Sequence, residues 1–174
     1  MNHEQWSDLL IDVEELETMA GNEYDKEVEM AKLILNATAP EHDSHALEVA
    51  SEVHWLGHEF FIVGLLHDAI EDTPKKSMRK KLKQIILRFY GNRIFDAVIA
   101  ITKRPHQHYF ADYLSQVASN PVALQVKIAD MRHNLKRTQW DEPSQERASR
   151  ETKYLNGLKF LGTKIATRYH MEGN

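Results

Sequence analysis

A chain of 174 residues, 28% charged and 42% hydrophobic, is long enough to bury a sizeable core and has the make-up of a soluble globular protein. A net charge of −4 gives no general reason to expect a nucleic-acid partner, and the absence of cysteine excludes a disulfide framework, a zinc ribbon and a thiol nucleophile. The opening Met1-Asn2-His3-Glu4-Gln5-Trp6 lacks the basic start and apolar core of a signal peptide, and no apolar run reaches membrane-spanning length, so a cytoplasmic protein is expected.

Taken in order, the apolar residues recur at helical spacing almost throughout, and no segment sustains strand-type alternation. Trp6, Leu9, Leu10, Val13, Leu16 and Ala20 make a first stripe stopped by Gly21, and Tyr24, Val28, Ala31 and Leu35 a second that ends before Pro40. Ser44 is the expected N-cap of a third helix through Leu47, Ala50, Val53 and Leu56, closed by Gly57. A fourth runs unbroken from about Glu59 to Asp72 and stops at Thr73-Pro74. Ser77 caps a fifth through Leu82, Ile85, Ile86 and Phe89, ending at Gly91. Short helices follow over Arg93 to Thr102 and Tyr109 to Ala118, then one from Val122 to about Lys136. A long last helix starts at Asp141-Glu142-Pro143 and reaches about Tyr169. With 7 glycines, 5 prolines and no linker, residues 1–174 read as one compact, all-α, multi-helix domain.

Chemistry enters where the fourth helix, apolar from Phe60 onward, presents His67, Asp68, Glu71 and Asp72 in Leu65-Leu66-His67-Asp68-Ala69-Ile70-Glu71-Asp72-Thr73. Residues three and four apart share a helix face, which joins His67 to Glu71 and Asp68 to Asp72. Burying these groups among Phe60, Phe61, Val63, Leu65 and Leu66 is costly unless a cation or partner compensates. Asp130 likewise interrupts the apolar Val126-Lys127-Ile128-Ala129. His45, in the first turn after Ser44, is a further candidate ligand, with His42, His54 and His58 as nearby competitors. Imidazoles with carboxylates form a fairly hard ligand set suited to manganese, iron, magnesium or zinc.

The runs LLHDAIEDT and VKIADMRHNL together resemble the HD-domain metal phosphohydrolases, which carry HDxxEDT and KxADRxxN signatures at similar separation. Within them the chain is most similar to the (p)ppGpp hydrolase domain of the RelA/SpoT family and the small alarmone hydrolases. SHALEVASEV matches their THPLxVAxxL segment, and AVIAITKRPHQHYFADYLSQVASNP their stretch from VxxxTK to the second signature. The likeness covers roughly residues 30 to 160 and implies that His45, His67, Asp68 and Asp130 hold one divalent metal, typically Mn2+. It implies that Glu71 and Asp72 position and activate the attacking water, and that Lys127 and Asn134 contact the nucleotide. It also implies that Tyr154 matches an aromatic that packs on ribose or base, whereas on its own long amphipathic helix Tyr154 reads first as a core tyrosine.

The departure lies upstream of His45. The family's Arg-Lys pair and GxPYxxHP run are replaced by Asn36-Ala37-Thr38-Ala39-Pro40-Glu41-His42-Asp43-Ser44-His45, with no basic residue between Lys32 and His45. Lys75, Lys76, Arg79, Lys80, Lys81 and Lys83 offer compensating charge after Asp72, or simply a solvated helix face. The expected activity is therefore metal-dependent hydrolysis of a small nucleotide, in its most specific form removal of the 3′-diphosphate of (p)ppGpp. The alternatives are an HD phosphohydrolase for another nucleotide or phosphoester, and a non-catalytic metal- or nucleotide-binding sensor.

Overall fold

A computed structural model of the chain describes residues 9, 13–16, 18, 21–39 and 43–172, without the side chains of 43 and 166–172. Of the first apolar stripe, Leu9, Val13 and Leu16 are buried, while Trp6, Leu10 and Ala20 lie outside the described residues. Every described element is helical. Helix α1 spans Glu23–Thr38, α2 Asp43–Val53, α3 His58–Leu66, α4 Ala69–Asp72 and α5 Lys76–Ile101. A π-helical turn, Tyr109–Leu114, leads into α6, Ser115–Ser119, followed by α7, Pro121–Thr138, and α8, Gln145–Glu172.

Local chemistry sets these boundaries. Asn22 caps α1 by accepting from the Tyr24 amide, and Asn120 caps α7 by accepting from Val122 and Ala123, with Pro121 in the first turn. Ser44 lies inside the first turn of α2, which begins at Asp43, so it is not the expected cap. Ser77 likewise sits inside α5, whose N-terminal neighbour Lys75 makes no capping bond. Helix α8 begins two residues beyond Pro143, where the Ser144 hydroxyl accepts from the Arg147 amide. Gly91, at φ 70° and ψ −175°, breaks the helical backbone inside α5, so the two helices expected on either side of it are both present and meet there at a kink.

The largest departure concerns the fourth expected helix. It is two pieces, α3 and α4, parted by His67 and Asp68. Asp68 falls at φ −105° and ψ −8°, in the bridge region favoured by many active-site residues. Helical periodicity is blind to such a step, because both residues keep roughly right-handed torsions while the hydrogen-bond ladder lapses.

Helix α3 is apolar on every side, with Ile62, Val63, Leu65 and Leu66 fully sequestered, and packs against α1, α2, α5 and α7. Each such side chain contributes roughly 1.5–3 kcal/mol of burial. Closest approach falls at Gly64: a Cβ there would stand 2.5 Å from the Ala50 Cα of α2. That contact brings the end of α3 beside the start of α2, and α7 closes over both. No helix of the described residues is long and apolar enough to cross a membrane.

Candidate metal centre

Three helices each deliver one side chain to a common point. His45 comes from the first turn of α2, His67 from the step after α3 and Asp130 from the middle of α7. One ligand atom from each lies within 4.8 Å of the others, and His67 is 1% exposed. The Asp130 Oδ1 stands 3.2 Å from His45 Nε2 and 3.8 Å from His67 Nε2. His54 and His58 are engaged elsewhere, with the Tyr24 hydroxyl and the Glu27 carboxylate, while His42 lies outside the described residues.

His67 carries a diagnostic hydrogen-bond pattern. Its Nδ1 lies 2.7 Å from the Gly64 carbonyl, which can only accept, so Nδ1 bears the hydrogen. In the neutral ring Nε2 is then a lone pair, and it is buried without a hydrogen-bond partner. That atom faces the Asp68 Oδ2 at 3.0 Å and the Asp130 carboxylate. A lone pair opposed to two anions is stable only with positive charge between them, a proton or a metal ion. Burial alone would push the His67 pKa down, but the Asp68 carboxylate, seconded by Asp130, lifts it to about 9. The same atoms suit a divalent cation, and a histidine tethered through Nδ1 to a backbone carbonyl is the usual form of a ligating imidazole. The residues fit a metal.

Asp68 stands beside the three-residue cluster without joining it; its half-exposed carboxylate meets His67 Nε2 at 3.0 Å. Asp130 is the hub. Its Oδ2 accepts from Lys127 Nζ at 2.7 Å, and its Oδ1 accepts from Asn134 Nδ2 at 2.5 Å. Burial would raise the Asp130 pKa, yet Lys127, His45 and His67 hold it far below the ordinary carboxylate range. Lys127 is itself enclosed; burial disfavours its charge, but Asp130 and Tyr113 raise its pKa well above the usual lysine value. Its ammonium sits 5.5 Å from the Tyr113 ring centroid. The structure thus turns both Lys127 and Asn134 onto Asp130 itself.

Glu71 and Asp72 sit on α4 just beyond the step. The Glu71 Oε1 accepts from the Lys103 amide at 2.6 Å. Desolvation by surrounding atoms raises the Glu71 pKa, the Lys103 amide pulls it back and the Asp68 charge raises it again. Asp72 is half-buried, its amide bonded to the Asp68 carbonyl at 2.9 Å. Tyr154, on α8, is half-buried against the core cluster and carries the Lys153 ammonium over its ring at 5.7 Å. Burial raises its pKa, with a further push from Asp130, so the site's field reaches it. Of the basic stretch, Lys75, Lys76, Lys80 and Lys81 are exposed, whereas Arg79 bonds the Thr73 and Glu71 carbonyls and ties down the end of α4.

Two further residues join this centre that the sequence reading passed over. The His133 Nδ1 lies 2.6 Å from His45 Nδ1, and its Nε2 meets the Glu48 carboxylate. Their one sequence signal is spacing: His133 follows Asp130 by three residues and Glu48 follows His45 by three, so each shares a helix face with a cluster member.

No family model matches the sequence, and no curated protein matches it. Among solved structures the chain is similar to one described as a metazoan ortholog of SpoT that hydrolyses ppGpp and plays a role in starvation responses. The TM-score is 0.56 at 18% identity, over 87% of this chain and 98% of that one. At that identity the likeness is one of fold, and it bears out the expected all-helical architecture, which that ppGpp-hydrolysing protein shares.

Proposed function

We propose that the chain is a metal-dependent HD-type phosphohydrolase of a small nucleotide, with (p)ppGpp 3′-pyrophosphohydrolysis as its most specific form. The observation that carries this reading is the buried convergence of His45, His67 and Asp130, with His67 Nε2 unpaired and aimed at carboxylates. His45, His67, Asp68 and Asp130 would hold one divalent ion, with Mn2+ as the expected metal. When bound, such an ion supplies Lewis-acid charge at a phosphoryl group and acidifies the attacking water. Glu71, with its raised pKa and its Oε1 anchored by the Lys103 amide, accepts the water proton, and Asp72 orients the water. Lys127 keeps Asp130 ionised, Asn134 fixes the Asp130 carboxylate, and Tyr154 with Lys153 offers a ring and a charge to the nucleotide.

One observation favours a second reading, hydrolysis of a different nucleotide or phosphoester. Lys127, the enclosed cation of the second signature, is committed to Asp130 and Tyr113, and no basic residue precedes His45 back to Lys32. The test is release of phosphate or pyrophosphate by the purified protein with Mn2+. The panel is ppGpp, pppGpp, nucleoside mono- and triphosphates and cyclic nucleotides, with Asp68→Ala as control. Pyrophosphate released from ppGpp and pppGpp alone supports the alarmone hydrolase; release from another compound moves the substrate. Silence with metal bound favours a sensor. Retention of metal and activity by Asp68→Ala removes that residue from the ligand set.

A further inference from the structure

The geometry points to Glu48 and His133 as an outer-sphere relay that fixes the tautomer and orientation of His45 toward the metal position. The inference rests on the metal-centre reading above and assigns work to two residues outside its ligand set. The argument is one of donors and acceptors. A carboxylate only accepts, so the His133 Nε2 that meets Glu48 must carry a hydrogen. In the neutral imidazole this leaves His133 Nδ1 as a lone pair. That lone pair faces the His45 Nδ1 at 2.6 Å, so His45 must donate there. His45 Nε2 is then left to face the cluster, 3.2 Å from Asp130 Oδ1; that carboxylate also only accepts, so a proton on Nε2 holds the contact when no ion is bound and a cation takes its place when one is. With the cation there every link agrees, and the chain ends with a ligating atom presented to the cluster.

The ring arrangement agrees. The His45 and His133 planes are inclined by 19° and their centroids are 4.8 Å apart. That separation is close to the largest that two imidazoles touching through Nδ1 can have. The rings therefore lie end to end in one plane, as an N–H···N bond requires, and not face over face. His133 is largely covered, whereas Glu48 is 60% exposed, so the relay runs from solvent to the buried centre. It also joins α2 to α7, because His45 and Glu48 lie on one helix and Asp130 and His133 on the other. The second histidine has the same protection by other means, since the Gly64 carbonyl fixes His67. Outer partners of this kind typically govern metal affinity by 10- to 100-fold.

Two measurements decide the matter, Mn2+ titration followed by electron paramagnetic resonance and long-range proton–nitrogen NMR of the protein saturated with diamagnetic Mg2+. Wild type should show His45 protonated at Nδ1 and coupled through that proton to His133. His133→Ala should weaken Mn2+ binding by about 10- to 100-fold. His133→Asn, which keeps an acceptor near the Nδ1 position, should recover part of the loss. Glu48→Ala, an exposed change that leaves the metal-free melting temperature near wild type, should weaken binding less than His133→Ala does, and Glu48→Gln less again. Wild-type Mn2+ affinity in both alanine variants, or a wild-type His45 Nδ1 proton with no coupling to His133, overturns the relay while leaving the metal centre standing. A wild type that binds no Mn2+ and is indifferent to Asp130→Ala overturns the metal centre itself, and the relay with it.

Discussion

Helix α3 carries a histidine at each end, and the two meet opposite fates. His58, its first residue, places Nε2 against the Glu27 carboxylate of α1 with the Tyr24 ring 4.2 Å away, and the Tyr90 hydroxyl bonds the Glu27 carbonyl. His67, just past its last residue, meets His45 and two carboxylates. At His58 one imidazole meets one acid through Nε2, and its Nδ1, buried without a hydrogen-bond partner, belongs to no group of three donors. At His67 a second imidazole and a second acid crowd the same point, leaving a lone pair that only added positive charge can satisfy. Among the described residues the His67 group alone gathers three such donors within 4.8 Å. Residue type is thus a poor guide to a metal site; the number of donor atoms converging on one position is a good one.

The sharpest way to break the comparison is to remove one acid from each end. Asp130→Ala should abolish Mn2+ binding and, by stranding Lys127 in the interior, destabilise the fold by about 3–5 kcal/mol. Calorimetric metal titration with thermal unfolding reads both effects, and unchanged Mn2+ affinity would end the assignment.

Acidity separates the two ends next. His67 has its folded-state pKa raised from 6.5 to about 9, so its contribution to the metal-free fold is complete below pH 6.5 and lost as pH climbs toward 9. Melting in a chelator should fall across that window, by roughly 3 kcal/mol in all. Mn2+ affinity should rise over the same window, because a cation competes with that proton. A chelated protein whose stability is flat from pH 6.5 to 9 would contradict the arrangement.

A smaller effect concerns how the end of α3 is held. Gly64→Ala drives a methyl into the Ala50 backbone, which should lower stability by about 1–3 kcal/mol and loosen the carbonyl that anchors His67. Unfolding in denaturant together with Mn2+ titration would detect both. Glu27→Ala should have the least effect, about 1 kcal/mol of stability and no change in metal affinity. A loss of metal binding in that variant would erase the distinction between the two ends.

Much of this arrangement is legible in the residues. Apolar spacing gives the helical stretches because each buries one stripe, and Gly57, Gly91 and Asn120-Pro121 mark real bends and starts since their backbone preferences are local. His67 and Asp130 stand out as polar groups on apolar faces, and the fold buries both. Only the family resemblance singles out His45 among its neighbours, because which of several nearby histidines faces inward depends on how α2 meets α7. Ser44 and Ser77 misled because a serine near a helix start is common whether or not it caps. The resemblance turns Lys127 toward the nucleotide, since spacing shows that it shares a face with Asp130 but not that its ammonium bonds the carboxylate. Glu48 and His133 were passed over for a similar reason. Their contact joins two helices far apart in the chain, and no periodicity within either one encodes it.

The step at His67 and Asp68 sets stability and competence against each other. Adjacent residues on an unbroken α-helix diverge by about 100° around the axis, so two neighbouring side chains do not address one point. The lapse between α3 and α4 lets His67 Nε2 and Asp68 Oδ2 meet at 3.0 Å, at the expense of backbone hydrogen bonds that a continuous rod would make. Any engineering for heat resistance that rewards helix propensity would tend to mend this seam, and the sturdier molecule would have its two neighbours turned apart. A search for improved variants should therefore hold residues 66–69 fixed and seek its gains elsewhere, such as the exposed face of α8.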